Sequence, residues 1–270
     1  MAVPSETGEP GRADVLNSDQ VLADLAAADV PWRDVVVLDS TGSTNTDLVA
    51  AVAAGTAVSG AVLVADSQSA GRGRLDREWY SQSGATLTFS VYLTAPANSA
   101  QFLPLLMGLA VARAIPAADD QVTLKWPNDV LVDGRKTAGI LAEAVSGGAV
   151  VGCGINVGLT AEQLPVPDSH SLSLAGIEIE RSDLLARVLI ELHQIYQRWA
   201  EAGYHAEAAG LLTEFRRRCS TLGRQVRVQL PDGGQLEGRA ADIDDVGQLV
   251  VASAAGQQSV SVGDVIHLRH

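Results

Sequence analysis

The sequence predicts an α+β fold, in which a larger domain of helices and β-hairpins is followed by a small all-β domain. The chain has 270 residues, enough for both. Helix-type and strand-type hydrophobic patterns are mixed up to about residue 219, and only short strand-type segments follow from Gly223 onward. We therefore predict one domain over 1–219 and another over 220–270. Residues 1–15, rich in Pro, Gly and polar side chains, are expected to be disordered.

The first third of the chain predicts two helices and two strands. An amphipathic segment over 18–28 predicts the first helix. The apolar run that begins at Val35 predicts a buried strand, and the helical pattern after it ends at Gly55, a residue favoured just past a helix. A second strand is predicted over 61–66. It is followed by a long polar loop over 67–84 that is rich in Gly and Arg.

The middle of the chain predicts a hairpin and a buried helix. Residues 85–93 alternate between apolar and polar side chains, as a strand does. Residues 103–115 are apolar on nearly all sides, which predicts a buried helix. The dipeptide Asp133-Gly134 lies between two β-prone runs and is a strong hairpin signal. A further apolar strand is predicted over 149–159.

The last third predicts two helices and then a small barrel. Apolar residues recur at helical spacing from Ser182 to about Gly203, and a further helix is predicted over 205–219. The pattern of the remaining fifty or so residues predicts four or five short strands, separated by the turns PDGG, DDVG and SAAGQQ. Strands this short and evenly spaced are typical of a small barrel of the SH3 kind.

Composition excludes several classes of protein. The net charge of −13 offers no general positive surface for nucleic acid. Cys153 and Cys219 are not in a CxxC pair, so two free buried thiols in a reducing cytoplasm are the better interpretation than a zinc site. No signal peptide or membrane-spanning run is present, which predicts a cytoplasmic protein without a membrane partner.

The segment from Ala70 to Trp79 is the most informative for function. Arg72, Arg74 and Arg77 bring three permanent charges with planar donor groups that suit phosphate, within six residues of an acidic chain. Two glycines allow the backbone to approach a ligand closely, and the tryptophan offers a flat face for a base. The plain alternative is a solvated basic turn.

Two further segments carry polar groups beside predicted strands. In Lys125-Trp126-Pro127-Asn128-Asp129, the Asn and Asp offer oxygen ligands of the kind that magnesium prefers, although a Pro-Asn-Asp turn is also common. Lys136 lies just past the predicted hairpin turn, within the run Arg135–Ile140, and would otherwise be an exposed strand lysine.

Two more segments fit a binding site but also fit ordinary structure. Gly152-Cys153-Gly154-Ile155-Asn156 places glycines inside a strand, which suggests close approach of a ligand or simply a bulge. Ser43-Thr44-Asn45 is a cluster of neutral donors and acceptors, and also a good helix cap. The Walker A, Rossmann and nucleophile-elbow motifs are all absent, so any ATP site must use another loop.

Taken in order and spacing, these five segments closely resemble the biotin–protein ligases. The resembling motifs are S-T-N, GRGR with a later W, KWPND, RK-x-AGI and G-x-GIN, over roughly residues 35–160. The resemblance implies a mixed, largely antiparallel sheet with helices on one side, followed by an SH3-like domain. At most one short helix precedes the first strand, so we expect the form without an N-terminal DNA-binding domain and no nucleic-acid partner.

The resemblance also implies residue roles. Biotin would be bound by Ser43, Thr44, Asn45, Gln68, Gly71, Arg72, Gly73, Lys136, Gly139, Gly152 and Gly154. The nucleotide would be bound by Arg72, Arg74, Arg77, Trp79, Lys125, Asn128 and Asn156. The catalytic residues would be Lys136, Arg74 and Asp129. No fixed metal site is expected, and Mg²⁺ carried by ATP would lie near Asn128 and Asp129.

The implied activity is an ATP-dependent ligation. Biotin would be activated as biotinyl-5′-AMP and transferred to a lysine of the biotin carboxyl carrier domain of acetyl-CoA or other acyl-CoA carboxylases. Two alternatives remain open on the residues: a lipoate or octanoate ligase of the same fold, and a non-catalytic biotin sensor.

Overall fold

The computed structural model describes residues 14–268 except 33, 76, 231, 232 and 262. The expected disorder of residues 1–15 therefore falls outside the described residues, apart from the last two positions. Among the described residues, none of the helices has both the length and the hydropathy that a membrane-spanning helix requires. Both cysteines are buried and free, as predicted.

The described residues form five α-helices and twelve β-strands. The helices are α1 (Ser18–Ala27), α2 (Thr44–Ala53), α3 (Leu103–Ala114), α4 (Arg181–Glu201) and α5 (Leu211–Arg218). The strands of the larger part are β1 (Val35–Thr41), β2 (Val62–Gln68), β3 (Thr86–Thr94), β4 (Val122–Lys125), β5 (Asp129–Val132), β6 (Arg135–Val145) and β7 (Gly148–Asn156). The remaining strands are β8 (Gln225–Gln229), β9 (Gln235–Ile243), β10 (Leu249–Ser253), β11 (Gly256–Val260) and β12 (Asp264–His267).

A seven-stranded sheet forms the centre of the larger part, in the order β1-β2-β3-β7-β6-β5-β4. Only β1 and β2 pair in parallel, through the crossover helix α2, and the other neighbours are antiparallel. The β5–β6 hairpin turns at Asp133 and Gly134, with φ values of 52° and 72°. Positive φ at both central residues is what a tight hairpin turn of this kind requires. The mixed, largely antiparallel sheet is confirmed.

The two faces of this sheet differ in polarity. On β3, the apolar positions Leu87, Phe89, Val91 and Leu93 are buried in the main core, which also contains the apolar faces of α1, α3 and α4. The intervening residues of β3, including Ser90, point to the other face because strand side chains alternate. That face carries α2 and the cleft described below. Helices α1, α3 and α4 thus lie on one side, and α2 packs alone on the opposite side against a small apolar cluster.

A five-stranded antiparallel sheet, ordered β11-β10-β9-β8-β12, follows as an SH3-like unit. It is joined to the larger sheet through Trp126, whose indole N–H donates to the carbonyl of Gly247 at 2.9 Å. The backbone N–H of Trp126 donates to the hydroxyl of Thr221 at 3.1 Å. Trp126 is only 1% exposed, so this joint is part of the core.

One predicted helix is shorter in the structure. The prediction placed a helix over 205–219, but the helix is α5, Leu211–Arg218. The residue before it, Gly210, has φ of 70°, and Tyr204 has φ of 65°. Neither value is compatible with a right-handed helix, so the chain turns between α4 and α5 instead of continuing.

Candidate active site

A cleft of about 1310 Å³ opens on the α2 face of the larger sheet. Its walls are that sheet face, the Arg-rich loop and one edge of the second sheet. Among the described residues, every predicted site residue except Gly71 lines it. Segments that lie between Ser43 and Asn156 in the sequence therefore meet in one place.

A chain of neutral polar groups lies at the N-terminus of α2. Thr44 donates to the side-chain oxygen of Gln68 from its backbone N–H at 2.8 Å, and its hydroxyl lies 2.7 Å from that of Ser90. The Ser90 hydroxyl in turn donates to Asn45 at 2.7 Å. Ser43 caps α2, its hydroxyl lying 3.5 Å from the N–H of Thr46. Such a buried, connected network suits a neutral polar ligand.

The network continues to Glu143 on β6, which forms an ion pair with Arg72 of the Arg-rich loop. Asn45 donates its amide to Glu143 at 2.9 Å, and the same carboxylate oxygen pairs with Arg72 at 2.5 Å. Asn45 lies directly over Gly152, where a Cβ would stand 2.2 Å from the Asn45 oxygen. Gly152 is therefore required for the approach of α2 to the sheet, and Glu143 and Ser90 are site residues that the sequence did not single out.

The Arg-rich loop folds back on itself as a short ribbon. The N–H of Trp79 donates to the carbonyl of Gly71 at 2.8 Å, and the N–H of Gly73 donates to that of Arg77 at 2.6 Å. A Cβ on Gly71 would lie 2.5 Å from the Trp79 carbonyl. Gly71 therefore serves the internal packing of the loop and does not itself line the cleft, and its contact with biotin stays a prediction.

A buried ion pair holds the two ends of this loop. Asp66, on β2 just before the loop, accepts hydrogen bonds from Ser83 and from the N–H of Gly84 at its far end. Arg181, which is fully buried at the start of α4, donates to Asp66 at 2.7 Å. Burial raises the pKa of Asp66, but the bonds from Ser83 and Arg181 outweigh it and hold the pKa below its usual value. The loop thus has fixed ends.

Trp79 packs directly against two strand glycines of the cleft floor. A Cβ on Gly154 would stand 2.2 Å from the indole, and one on Gly139 would stand 2.9 Å from it. The absence of side chains at these two positions makes room for the ring. The indole N–H is buried without a hydrogen-bond partner in the described residues, so a ligand acceptor could gain a bond there.

The backbone of Lys136 is held by two hydrogen bonds to the segment 168–170, which forms a parallel bridge with the start of β6. Its N–H donates to the carbonyl of Asp168 at 3.0 Å, and its carbonyl accepts from His170 at 2.7 Å. Its ammonium lies 2.6 Å from Asp129 on the neighbouring strand and 5.9 Å from the centre of the Trp79 ring. The side chain is about one-third exposed and faces the cleft.

Asn128 and Asp129 were expected to lie near Mg²⁺. The oxygen of Asn128 accepts from Arg74 at 3.3 Å, and one oxygen of Asp129 pairs with Lys136. No group of three or more His, Cys, Asp and Glu side chains within the described ranges could hold a metal. Asn128 and Asp129 thus offer oxygen donors beside the cleft, each already bonded to a cationic side chain.

Asn156 was predicted to meet adenine at the floor of the pocket, and its side chain lines the cleft. Its amide donates to the carbonyl of His170 at 2.9 Å, and the side chain is 3% exposed. It therefore fixes the segment after β7 against the cleft floor. Gly154, two residues earlier on the same face, meets the Trp79 ring instead.

The second sheet contributes residues that the sequence analysis did not select. Arg224, Gln225 and His267 line the cleft beside Lys125. Burial, together with the charges of Lys125 and Arg224, lowers the pKa of His267 to about 4. No sequence signal marked these positions, since nothing local links a barrel strand to a cleft formed by much earlier segments of the chain.

Comparison with family models gives two matches. Residues 37–159 match the Biotin/lipoate A/B protein ligase family, and residues 221–268 match the Biotin protein ligase C terminal domain. The first match contains the polar network, the Arg-rich loop and Lys136, and the second contains Arg224 and His267.

Individual relatives agree with these models. The chain is 40% identical over 253 residues to the "Biotin--[acetyl-CoA-carboxylase] ligase" of Mycobacterium tuberculosis, covering 91% of this chain and 93% of that protein. It is 31% identical to the "Bifunctional ligase/repressor BirA" of Escherichia coli, covering 90% and 75%. Among solved structures, the biotin protein ligase from Aquifex aeolicus in complex with biotin and ATP matches with a TM-score of 0.72 and 26% identity, covering 88% of this chain and all of that one.

Proposed function

Since the chain belongs to the biotin/lipoate A/B protein ligase family, we infer that it is an ATP-dependent biotin–[acetyl-CoA-carboxylase] ligase. It activates biotin as biotinyl-5′-AMP and transfers the biotinyl group to a lysine of the carboxylase. The match of residues 221–268 to a biotin protein ligase domain favours biotin over lipoate or octanoate.

One observation supports this function most strongly. A neutral polar network, a loop with three arginines and a lysine pointing into the cleft all line the same cavity. The reaction needs these three elements together, because it must bind an uncharged ring, a polyphosphate and a carboxylate. A non-catalytic biotin sensor would need only the first.

In the first step, the biotin carboxylate oxygen attacks the α-phosphorus of ATP, and pyrophosphate leaves. We propose that the network of Ser43, Thr44, Asn45 and Gln68 holds the biotin ring system, and that Lys136 neutralises the carboxylate and the α-phosphate as they approach. Arg72, Arg74 and Arg77 would stabilise phosphate charge. The protein supplies no nucleophile, so the rate depends on positioning and on preorganised positive charge.

In the second step, the amine of the carrier lysine attacks the acyl carbon, and AMP leaves. Asp129 is the carboxylate nearest to Lys136, and we propose that it orients the incoming amine once Lys136 has engaged the adenylate. Trp79 is proposed to cover the adenylate through the loop, with Gly139 and Gly154 providing the space beneath. Exclusion of water by this cover would protect the mixed anhydride from hydrolysis.

Three finer points belong to the same proposal. Mg²⁺ is proposed to enter with ATP near Asn128 and Asp129 and to neutralise phosphate charge. The protein partner is proposed to be the biotin carboxyl carrier domain of an acyl-CoA carboxylase. The working location is proposed to be the cytoplasm, with no nucleic-acid or membrane partner.

The direct test is isotope exchange between ATP and pyrophosphate. We expect exchange that depends on biotin, and much weaker exchange with lipoate or octanoate. Addition of a carrier domain should then release AMP and leave a biotinylated lysine. Exchange driven by lipoate and not by biotin would favour the lipoate ligase, and binding of biotin without exchange would favour the sensor.

A further inference from the structure

A fully buried arginine lies behind the Arg-rich loop, outside the cleft. Arg181 is the first residue of α4, and its side chain is 0% exposed. Burial of a charged side chain is costly unless its surroundings supply opposite charge and hydrogen-bond acceptors. Arg181 does not line the cleft and takes no part in the two ligation steps described above. Its position therefore has a reason other than contact with substrate.

The guanidinium of Arg181 joins the two ends of the Arg-rich loop. One terminal nitrogen donates both to Asp66 at 2.7 Å and to the backbone carbonyl of Thr86 at 3.0 Å. Asp66 lies on β2 just before the loop, and Thr86 is the first residue of β3, just after it. We call these two chain ends, residues 66–68 and 81–86, the loop neck. A single buried nitrogen thus holds both sides of the loop neck.

The loop neck is bonded in turn to the polar network of the cleft. The Thr86 hydroxyl lies 3.3 Å from the hydroxyl of Ser81. The Ser81 hydroxyl accepts from the N–H of Gln68 at 3.2 Å, and the side chain of Gln68 accepts from the N–H of Thr44 at 2.8 Å. A series of contacts therefore runs from Arg181 to the residues that are proposed to hold biotin.

The segment before α1 holds the same arginine from its other nitrogens. The carboxylate of Asp14 accepts from the backbone N–H of Arg181 at 3.0 Å and lies 3.3 Å from its Nε. The Asp14 carbonyl accepts from the second terminal nitrogen. Close by, the N–H of Asn17 donates to the hydroxyl of Ser182 at 2.9 Å. Two carboxylates, Asp14 and Asp66, therefore fix one guanidinium, so its orientation depends on the segment that precedes α1.

We propose that Arg181 is a positioning residue for the ligation: oriented by Asp14, it holds the loop neck together, so that the Arg-rich loop stays closed over biotinyl-5′-AMP until the carrier lysine arrives. This proposal rests on the function proposed above. When the loop opens early, water attacks the acyl carbon, the bond from that carbon to the phosphate oxygen breaks, and biotin and AMP leave. ATP is then consumed without transfer of biotin, and a fixed neck makes such opening rarer.

The experiment measures how long the adenylate stays on the protein. The full-length protein is loaded with biotin, Mg²⁺ and ATP and desalted, and the fraction of biotinyl-5′-AMP still bound is followed without a carrier. Arg181→Met should lose the adenylate about tenfold faster than the wild-type protein, as loss of a charged hydrogen bond predicts. Asp14→Asn, which keeps an acceptor but removes one charge, should lose it about threefold faster. Arg181→Lys should fall between them, because a single ammonium reaches fewer of the acceptors.

Asp183→Asn is the matched control. Asp183 lies in the first turn of α4 and accepts from Gln20 of α1 at 2.5 Å, so it joins the same two helices through a bond that does not involve the loop neck. Only folded protein can be loaded, and the rate constant for loss of bound adenylate does not depend on how much protein is loaded. A change in stability alone would therefore lower the loaded amount and leave this rate constant unchanged.

The outcomes separate this proposal from the proposed function. If the wild-type protein forms no adenylate from biotin and ATP, the proposed function is wrong. If the wild-type protein forms it, but Arg181→Lys and Asp14→Asn lose it no faster than Asp183→Asn, the positioning role is wrong and the function stands. Faster loss from both variants and not from the control supports the role. Since both variants keep polar groups at their positions, the test does not depend on the folding of Arg181→Met.

Discussion

The ammonium of Lys136 lies 2.6 Å from a carboxylate oxygen of Asp129, across the β5–β6 pair. Each was predicted as a catalytic residue, but their pairing was not. The lysine is thus neutralised by protein before substrate arrives. The biotin carboxylate or the α-phosphate would have to share the Lys136 ammonium with Asp129 or displace Asp129 from it. Displacement would then free the Asp129 carboxylate for the second step.

Lys136→Ala should reduce adenylate formation by about a hundredfold or more, the typical cost of removing one preorganised electrostatic contact. The loss should fall mainly on the rate of that step, because charge on the α-phosphate grows towards the transition state. Single-turnover pyrophosphate release at saturating biotin measures it. Transfer from chemically made biotinyl-5′-AMP to the carrier should be less affected.

Two companion variants sharpen this prediction. Lys136→Arg should rescue poorly, because a wide planar guanidinium replaces a compact ammonium. Asp129→Asn should impair transfer more than adenylation, because it keeps the lysine and removes only its partner. Pyrophosphate release by Lys136→Ala at nearly the wild-type rate would show that Lys136 is an ordinary strand lysine.

Gly154→Ala should displace Trp79 and open the Arg-rich loop, because the new Cβ would stand 2.2 Å from the indole. We expect faster tryptic cleavage after Arg72, Arg74 or Arg77, and adenylate formation slowed by about ten- to a hundredfold through misplacement of the loop. Gly158→Ala is the control, since its Cβ would meet only ordinary contacts at 3.8 Å and beyond. Equal cleavage of both variants would contradict the docking of Trp79 on Gly154.

Biotinyl-5′-AMP should protect the same loop from trypsin. The loop is polar and glycine-rich, and the phosphate of the adenylate would add bonds to its arginines beyond the pair of Arg72 with Glu143. Cleavage in the absence of ligand should therefore slow markedly when the adenylate is present, whereas cleavage elsewhere should not change. Identical loop cleavage rates in both states would argue against ordering by the ligand.

Truncation of the protein before about Leu222 should impair catalysis, because Arg224 and His267 line the cleft. The indole N–H of Trp126 would also lose its acceptor, the carbonyl of Gly247. Thr221→Val tests the contact between the two sheets without removing the second one. It should lower the free energy of unfolding by about 1–3 kcal/mol, since it leaves the buried N–H of Trp126 without an acceptor. Chemical denaturation measures this loss. A soluble truncated protein that performs both half-reactions fully would show that the second sheet is passive.

Stability should fall as the pH is lowered from about 6.5 towards 4. Burial lowers the pKa of His170, His193 and His267 in the folded protein, to about 4 for His267, against an ordinary value of 6.5. Between pH 6.5 and 4, these histidines bind more protons in the unfolded chain than in the folded protein. Their contribution to the free energy of unfolding is therefore fully present above pH 6.5 and is lost on acidification. Urea denaturation at several pH values measures the slope, which His267→Asn should reduce. An unchanged slope in that variant would contradict the low pKa of His267.

The sequence by itself determined the local elements and the order of the functional motifs. The alternation in 85–93 predicted β3, and Asp133-Gly134 predicted the hairpin that carries Lys136, because strand periodicity and turn conformation are properties of neighbouring residues. The helix predicted over 205–219 is present but shorter, as α5 over Leu211–Arg218. Its helical pattern did not reveal the positive φ of Gly210, which packing and chain direction select.

Only the tertiary structure decided which side chains meet. Strand register and packing between the sheets decide three contacts. They pair Lys136 with Asp129, they place Trp79 against Gly154, and they join the neighbours of Lys125 to the segment before Arg224. The bond from Asn156 to the carbonyl of His170 and the close contact of Gly71 with the Trp79 backbone depend on the same packing. These contacts join residues far apart in sequence, and no local pattern encodes them, because their energy arises only once the sheets and the loop have come together.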